Sequence, residues 1–375
     1  MPNTGSNSGS NSGSNSGSNS GSNSGSNSGS NSGSNSGSRT AFSSSHADNP
    51  ASPLLSSALL TSRDAITGYW DSEATAVDDL ESLRLSDTDD YLFQLRPGYS
   101  AFVVETFLKG RVQFEGSDGR ARLLVDNKLA TEIRRPSQAF FGKQLVWLRA
   151  YADLRSDRLS EVQMQLGDAL SFFGALHHLD NGRRSNTLML LDIVRNFAIH
   201  IETPMKFFCR AARPIDYAPE VQPMIQTPDH SSFPSGHSLE AFAIAAVMHR
   251  LQTRQDPAEG IAGKRGPSLP FRLAHRIATN RTVAGVHFPV DSRIGAHVGC
   301  LIGDLVWSLA RGEDFVPGNP DMGADDADFL LSEFDPKRSG ASLKIKPVSV
   351  LGEIWKKAER EWPVSKTSKD EGNSK

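Results

Sequence analysis

The 375-residue chain has only two cysteines, Cys209 and Cys300, too few for a framework of disulfides of the kind that staples small secreted domains. Both fall in segments with helical periodicity and read as reduced core thiols. Neither sign of charge is in surplus, since 40 Lys and Arg stand against 43 Asp and Glu for a net charge of -3. That balance gives no general electrostatic reason for nucleic acid or an anionic membrane surface as a partner. Any anion site must be local. Long apolar runs are also missing: Ala241–Met248 is short and Val298–Leu309 is interrupted by Asp304, whereas a membrane span needs roughly 18 apolar residues. The opening "MPNTGSNSGS" lacks the basic-then-apolar order of a secretory signal, so a cytoplasmic protein without a transmembrane segment is expected.

What is present has an ordinary globular balance of 37% hydrophobic and 22% charged residues, enough for one large domain or two smaller ones. From Gly5 to Ser38 the chain repeats Gly-Ser-Asn-Ser, which has no apolar residue to offset the entropy of ordering. The expected organisation is a disordered leader over 1–53, a single helical domain over 54–362 and a disordered polar tail over 363–375. Within the domain, helical periodicity dominates over two-residue alternation. It predicts helices over Ser100–Phe107, Ala139–Leu154, Leu159–His178, Thr187–Cys209, Ser238–Leu251, Phe271–Thr279, Asp291–Ala310 and Leu351–Glu361. "RVQFEGSDGRARLLVDN" alternates weakly around a turn signal and allows one small β-hairpin near 111–127. Gly295, Gly299 and Gly303 share one helix face and imply close helix approach, without chemistry.

Three stretches carry chemistry-bearing residues at suggestive spacings. "PSGH", residues 234–237, precedes a predicted helix. A helix start has unpaired N–H groups and a partial positive charge that draw oxyanions. There Gly236 permits close backbone approach, Ser235 offers a hydroxyl and His237 can exchange a proton near neutral pH. Upstream, "KFFCRAARP" places Lys206 and Arg213 seven residues apart at a helix end, where two turns can aim both to one side. Downstream, "NRTVAGVHFPVD" supplies Arg281, then His287 and Asp291 four apart, so that the carboxylate can orient the imidazole. Singly each stretch has an ordinary structural reading. His249, His275 and His297 read as structural helix histidines, and His177–His178 as a helix end where imidazolium complements the dipole.

Together, Lys206-x6-Arg213-Pro214, Pro234-Ser235-Gly236-His237 and Arg281-x5-His287-x3-Asp291 resemble the signature of the type 2 phosphatidic acid phosphatase (PAP2) and vanadium haloperoxidase superfamily, in order and over residues 206–291. One departure is Asn280, where many of the phosphatases carry serine. The resemblance implies a mostly α, helical-bundle fold. It also implies that Lys206, Arg213, Ser235, Gly236 and Arg281 bind the oxygens of phosphate or vanadate. His287 would be the nucleophile to phosphorus or the sole protein ligand to the metal vanadium, Asp291 its orienting partner and His237 the general acid–base. His230, seven residues before His237, stands where haloperoxidases often place a group near the halide; a plain loop histidine is the favoured reading.

Two chemistries fit one cage. In a haloperoxidase, vanadate is the cofactor, hydrogen peroxide and halide are the substrates, and Lys206 draws charge from the peroxide. In a soluble PAP2-type acid phosphatase, no cofactor is needed and a phosphate ester is hydrolysed through a phosphohistidine. Without a predicted span or signal, and with a long helical region before Lys206, the haloperoxidase is the first reading and the phosphatase the alternative. No nucleic-acid partner is expected, and a homo-oligomer is left open.

Overall fold

The computed structural model describes residues 53–67 and 88–362, apart from 265, 337 and 339. The expected leader, beyond its last residue Pro53, and the polar tail lie outside the described residues. Three helices come first, α1 (Pro53–Thr67), α2 (Thr88–Gln94) and α3 (Pro97–Lys109). A three-stranded antiparallel sheet follows, β1 (Val112–Ser117), β2 (Arg120–Val125) and β3 (Lys128–Arg134), in the order β1-β2-β3. The expected hairpin is therefore a meander. Its first turn holds Asp118 and Gly119 and its second Asp126 and Asn127, all at positive φ, the backbone state that tight hairpins require. The second turn has no glycine to mark it, which is why the third strand was not legible.

The remaining elements are α4 (Gln138–Ala152), α5 (Arg155–Gln165), α6 (Leu170–Leu176), α7 (Ser185–Cys209), α8 (Pro214–Tyr217), α9 (Gly236–Thr253), α10 (Pro257–Ile261), α11 (Leu269–Val283), α12 (Pro289–Arg311) and α13 (Ser349–Arg360). The single helix expected over Leu159–His178 is two, α5 and α6. They part at Gly167 and Asp168, and the Asp168 carboxylate accepts the N–H of Ser171 to start α6. Nor does His177 end a helix as a cation. It packs edge-on against Trp362, and burial holds its pKa below the usual imidazole value.

α9 is the centre of the fold, buried along most of its length from Gly236 to Leu251, and α12, α11 and α7 pack around it. The glycine stripe of α12 makes the closest of these contacts possible. A Cβ on Gly295 would lie 2.5 Å from the Ser235 carbonyl oxygen, one on Gly299 would strike the Leu239 carbonyl, and one on Gly303 the Ala246 methyl. α13 covers α7 and α12, and α5 lies on α11. Cys209 and Cys300 are buried and unbridged, as expected. His275 Nε2 donates to Phe329 O at 2.8 Å, His249 meets Thr253 and His297 packs on Phe334. Among the described residues, no helix is long and apolar enough to cross a membrane.

Candidate active site

α7 delivers Lys206 in its last turn and stops at Cys209, because Arg210 turns left-handed at φ 48°. Arg213 is thus not on the same helix as Lys206, contrary to the two-turn expectation. The chain instead folds back along residues 231–233. Ser232 N–H donates to Ala211 O at 3.1 Å, Ser232 Oγ donates to Ala212 O at 2.8 Å, and Ala211 N–H donates to Ser231 Oγ at 2.9 Å. This zipper brings the two cations to one site. Lys206 Nζ donates to Ser231 O at 3.0 Å, and Arg213 donates to His230 O and, across the site, to Val286 O at 2.8 Å.

The Pro-Ser-Gly-His stretch opens α9 as the sequence implies. Ser235 N–H donates to Asp291 O at 2.9 Å, which ties the start of α9 to the start of α12. Ser235 Oγ is buried and has no hydrogen-bond partner among the described residues. Gly236 is buried behind it. His237 lies in the first turn and lines a narrow cleft with Gln165, Arg195 and Glu240. Burial, with the charges of Arg281 and Arg195, holds its imidazole well below the ordinary pKa.

Arg281, in the last turn of α11, is 1% exposed. Its Nη2 donates to Val162 O at 3.2 Å, while Nε and Nη1 have no partner among the described residues. Its guanidinium, lowered to about 10 by burial, remains charged at neutral pH. His287 follows in the turn before α12, with Nδ1 3.1 Å from Asp291 Oδ2. The Phe288 N–H donates to the same carboxylate oxygen at 3.0 Å, so Asp291 caps α12 while it holds the imidazole. On the other side of the ring, Arg213 Nη1 is 3.2 Å from His287 Nε2. A guanidinium can only donate, so Nε2 must present its lone pair and Nδ1 must carry the proton that Asp291 accepts. Burial, then the Arg213 and Lys206 charges, keep His287 well below its ordinary pKa and hence neutral. Burial pushes the enclosed Asp291 carboxyl up to about 7.

The signature residues therefore converge on His287, which feels the charges of Arg213, Lys206, His237 and Arg281 and bonds Asp291, whose carbonyl is tied to Ser235. His230 is at the rim, its Nδ1 3.2 Å from Arg213 Nη2. Four residues around the site carried no sequence signal, because they form no motif with the signature. Gln144 on α4 accepts the Val290 N–H at 3.0 Å. Arg155 ties Val283 O to Val221 O and Gln222 O, close beside Gly285, whose φ is 82°. Gln165 accepts from Asn280 Nδ2 at 2.9 Å and from Arg281 Nη2 at 3.4 Å. Asn280, the departure from the serine of many phosphatases, thus reaches Arg281 through Gln165. The fourth is Glu202 on α7, whose carboxylate lies against Gly236.

Buried hydrogen-bond donors without partners are rare, and a group of them beside three cations calls for an anion. The comparisons agree with that chemistry. Residues 187–313 match the model of the PAP2 superfamily. Two decaprenylphosphoryl-5-phosphoribose phosphatases of Mycobacterium tuberculosis, from strains CDC 1551 / Oshkosh and ATCC 25618 / H37Rv, are each 32% identical over 117 residues. The match takes in 31% of this chain and 58% of theirs. A transmembrane PAP2 type phosphatidylglycerolphosphate phosphatase from Bacillus subtilis is 18% identical, covering 57% of this chain and 96% of its own, but at a TM-score of 0.35 the likeness carries no argument. All three parts of the signature fall inside residues 187–313, the stretch that matches the PAP2 superfamily model, and the two relatives similar to it are phosphatases.

Proposed function

We propose that the site hydrolyses phosphate monoesters by way of a phosphohistidine. This reverses the order given to the two chemistries from sequence, where the haloperoxidase came first. The named relatives are phosphatases, and they favour hydrolysis over peroxide-dependent halide oxidation. The observation that carries the proposal is the pair of unpartnered Arg281 nitrogens and the unpartnered Ser235 hydroxyl, enclosed with a neutral His287 whose Nε2 lone pair is available.

In this reading, the ester's phosphoryl oxygens take the donors of Arg281, Ser235, Lys206 and the Gly236 backbone, and Arg213 moves its bond from His287 Nε2 to the incoming oxygen. His287 Nε2 attacks phosphorus while the bond to the leaving oxygen breaks, and His237, protonated as the ester's negative charge offsets Arg281 and Arg195, gives that oxygen its proton. A water molecule, deprotonated by His237, then attacks phosphorus, and His287 leaves with its electron pair. Asp291 holds Nδ1–H throughout and stabilises the charge that the imidazole acquires. The preorganised donors act on charge that develops in the transition state, the effect that usually contributes most. The same donor set fits vanadate, which would supply a five-coordinate mimic of that transition state. Substrates are then small phosphate esters.

The test is hydrolysis of p-nitrophenyl phosphate by the purified chain, run beside halogenation of a dye with vanadate, peroxide and halide. Hydrolysis inhibited by vanadate is expected. Halogenation that depends on vanadate, with no hydrolysis, would restore the haloperoxidase reading.

A further inference from the structure

Glu202 stands one turn before Lys206 on α7, and its carboxylate lies against the backbone of Gly236. A Cβ on Gly236 would be 2.6 Å from Oε1 and closer still to Oε2. This is the start of α9, the place in the cage where N–H groups and the helix dipole draw an anion. Oε2 is closed off from solvent and has no hydrogen-bond partner among the described residues. The charged groups facing Glu202 are Lys206 and Arg195 on its own helix, Glu240 on α9 and Arg213 on the loop beyond α7. Asp291 on α12 faces Lys206 in turn. An ionised carboxylate without a bonded donor is costly in such surroundings. Burial, with Glu240 alongside, raises Glu202 to about 8 against the opposing charge of Lys206.

We infer that Glu202 belongs to the oxyanion cage in its acid form, its O–H donating to a peripheral oxygen of the bound phosphate, so that filling the cage at alkaline pH takes up one proton. The inference rests on the phosphate cage proposed above. A dianion that reaches Gly236 meets repulsion from a carboxylate at contact distance, and a hydrogen bond from a carboxylic acid at the same place. The bound anion therefore raises the Glu202 pKa above its value in the free site. By linkage, anion affinity is constant below the free-state value and falls about tenfold per pH unit between the free and bound values. The site is thereby specified for the acid side of its pH range, whatever the titration of the ester itself.

Sulfate is the probe, because it is a tetrahedral oxyanion that stays a dianion well below neutral pH. Calorimetric titration above pH 8, where the free carboxyl is ionised, in two buffers of different ionisation enthalpy reads the protons taken up on binding. The wild type should take up about one more proton than Glu202→Gln, and the variant should keep its sulfate affinity at alkaline pH where the wild type loses it. Equal uptake and parallel pH profiles in the two proteins would overturn the role of Glu202. If that happens while p-nitrophenyl phosphate is still hydrolysed, the cage reading stands and only Glu202 falls. If the wild type neither binds sulfate nor hydrolyses the ester, the cage reading fails first. Should the glutamine variant not fold, binding of sulfate by the wild type above pH 8 without net proton uptake overturns the inference by itself.

Discussion

At the scale of single residues, the proposed hydrolysis turns on the tautomer of His287, and two neighbours of fixed character set it. Arg213 faces Nε2 and Asp291 faces Nδ1, so only one arrangement satisfies both. Asp291→Asn keeps the shape but can offer an N–H to Nδ1, which favours the tautomer with the proton on Nε2. Its kcat should fall by about two to four orders of magnitude, with a smaller change in KM. A variant within threefold of the wild type would show that Asp291 does not orient the ring. The identities of His287, Asp291 and Arg281 were legible because their offsets are local and fixed. Gln165 and Arg155 were not, since a buried amide or guanidinium on a distant helix has no spacing rule that ties it to the motif, and Glu202, one turn before Lys206, reads in sequence as an ordinary helix residue.

Helices and strands were legible to the extent that periodicity and turn chemistry mark their ends. The predicted segment Thr187–Cys209 nearly coincides with α7, and Asp291–Ala310 with α12. Gly167 and Asp168 split what reads as one periodic run, and a left-handed Arg210 removes Arg213 from the helix that its spacing suggests. The glycine stripe of α12 kept its expected meaning. Gly299→Ala puts a methyl into the Leu239 carbonyl, so it should cost about 1–3 kcal/mol of stability through overpacking. Urea unfolding checks this, and an unchanged midpoint would mean that α9 and α12 can separate freely. The pairing of α5 with α11 gives a pH prediction. Arg276 bonds Glu161 and holds its carboxyl down to about 2 from an ordinary 4.5. Because that pKa is depressed, the contribution is full above pH 4.5 and lost as pH falls toward 2. Glu161→Gln should therefore flatten the melting temperature's dependence on pH across that window. Identical slopes in the two proteins would contradict the pairing.

For the molecule as a whole, the fold's work is to gather four chain segments at one end of α9. α7 supplies Lys206 and Glu202, the α9 start supplies Ser235, Gly236 and His237, α11 supplies Arg281, and the α12 start supplies Asp291 beside His287. All the donors left unpaired there would hold phosphate and vanadate alike, and only an apical bond to His287 distinguishes the two anions. The most direct measurement is calorimetric titration of the wild type and His287→Ala with both. The wild type should bind vanadate at least about tenfold more tightly than phosphate, as expected of a transition-state mimic, and His287→Ala should lose most of that advantage while still binding phosphate. Equal affinity for the two anions in the wild type, or a vanadate advantage untouched by the substitution, would contradict the placement of His287 at the apex of the cage.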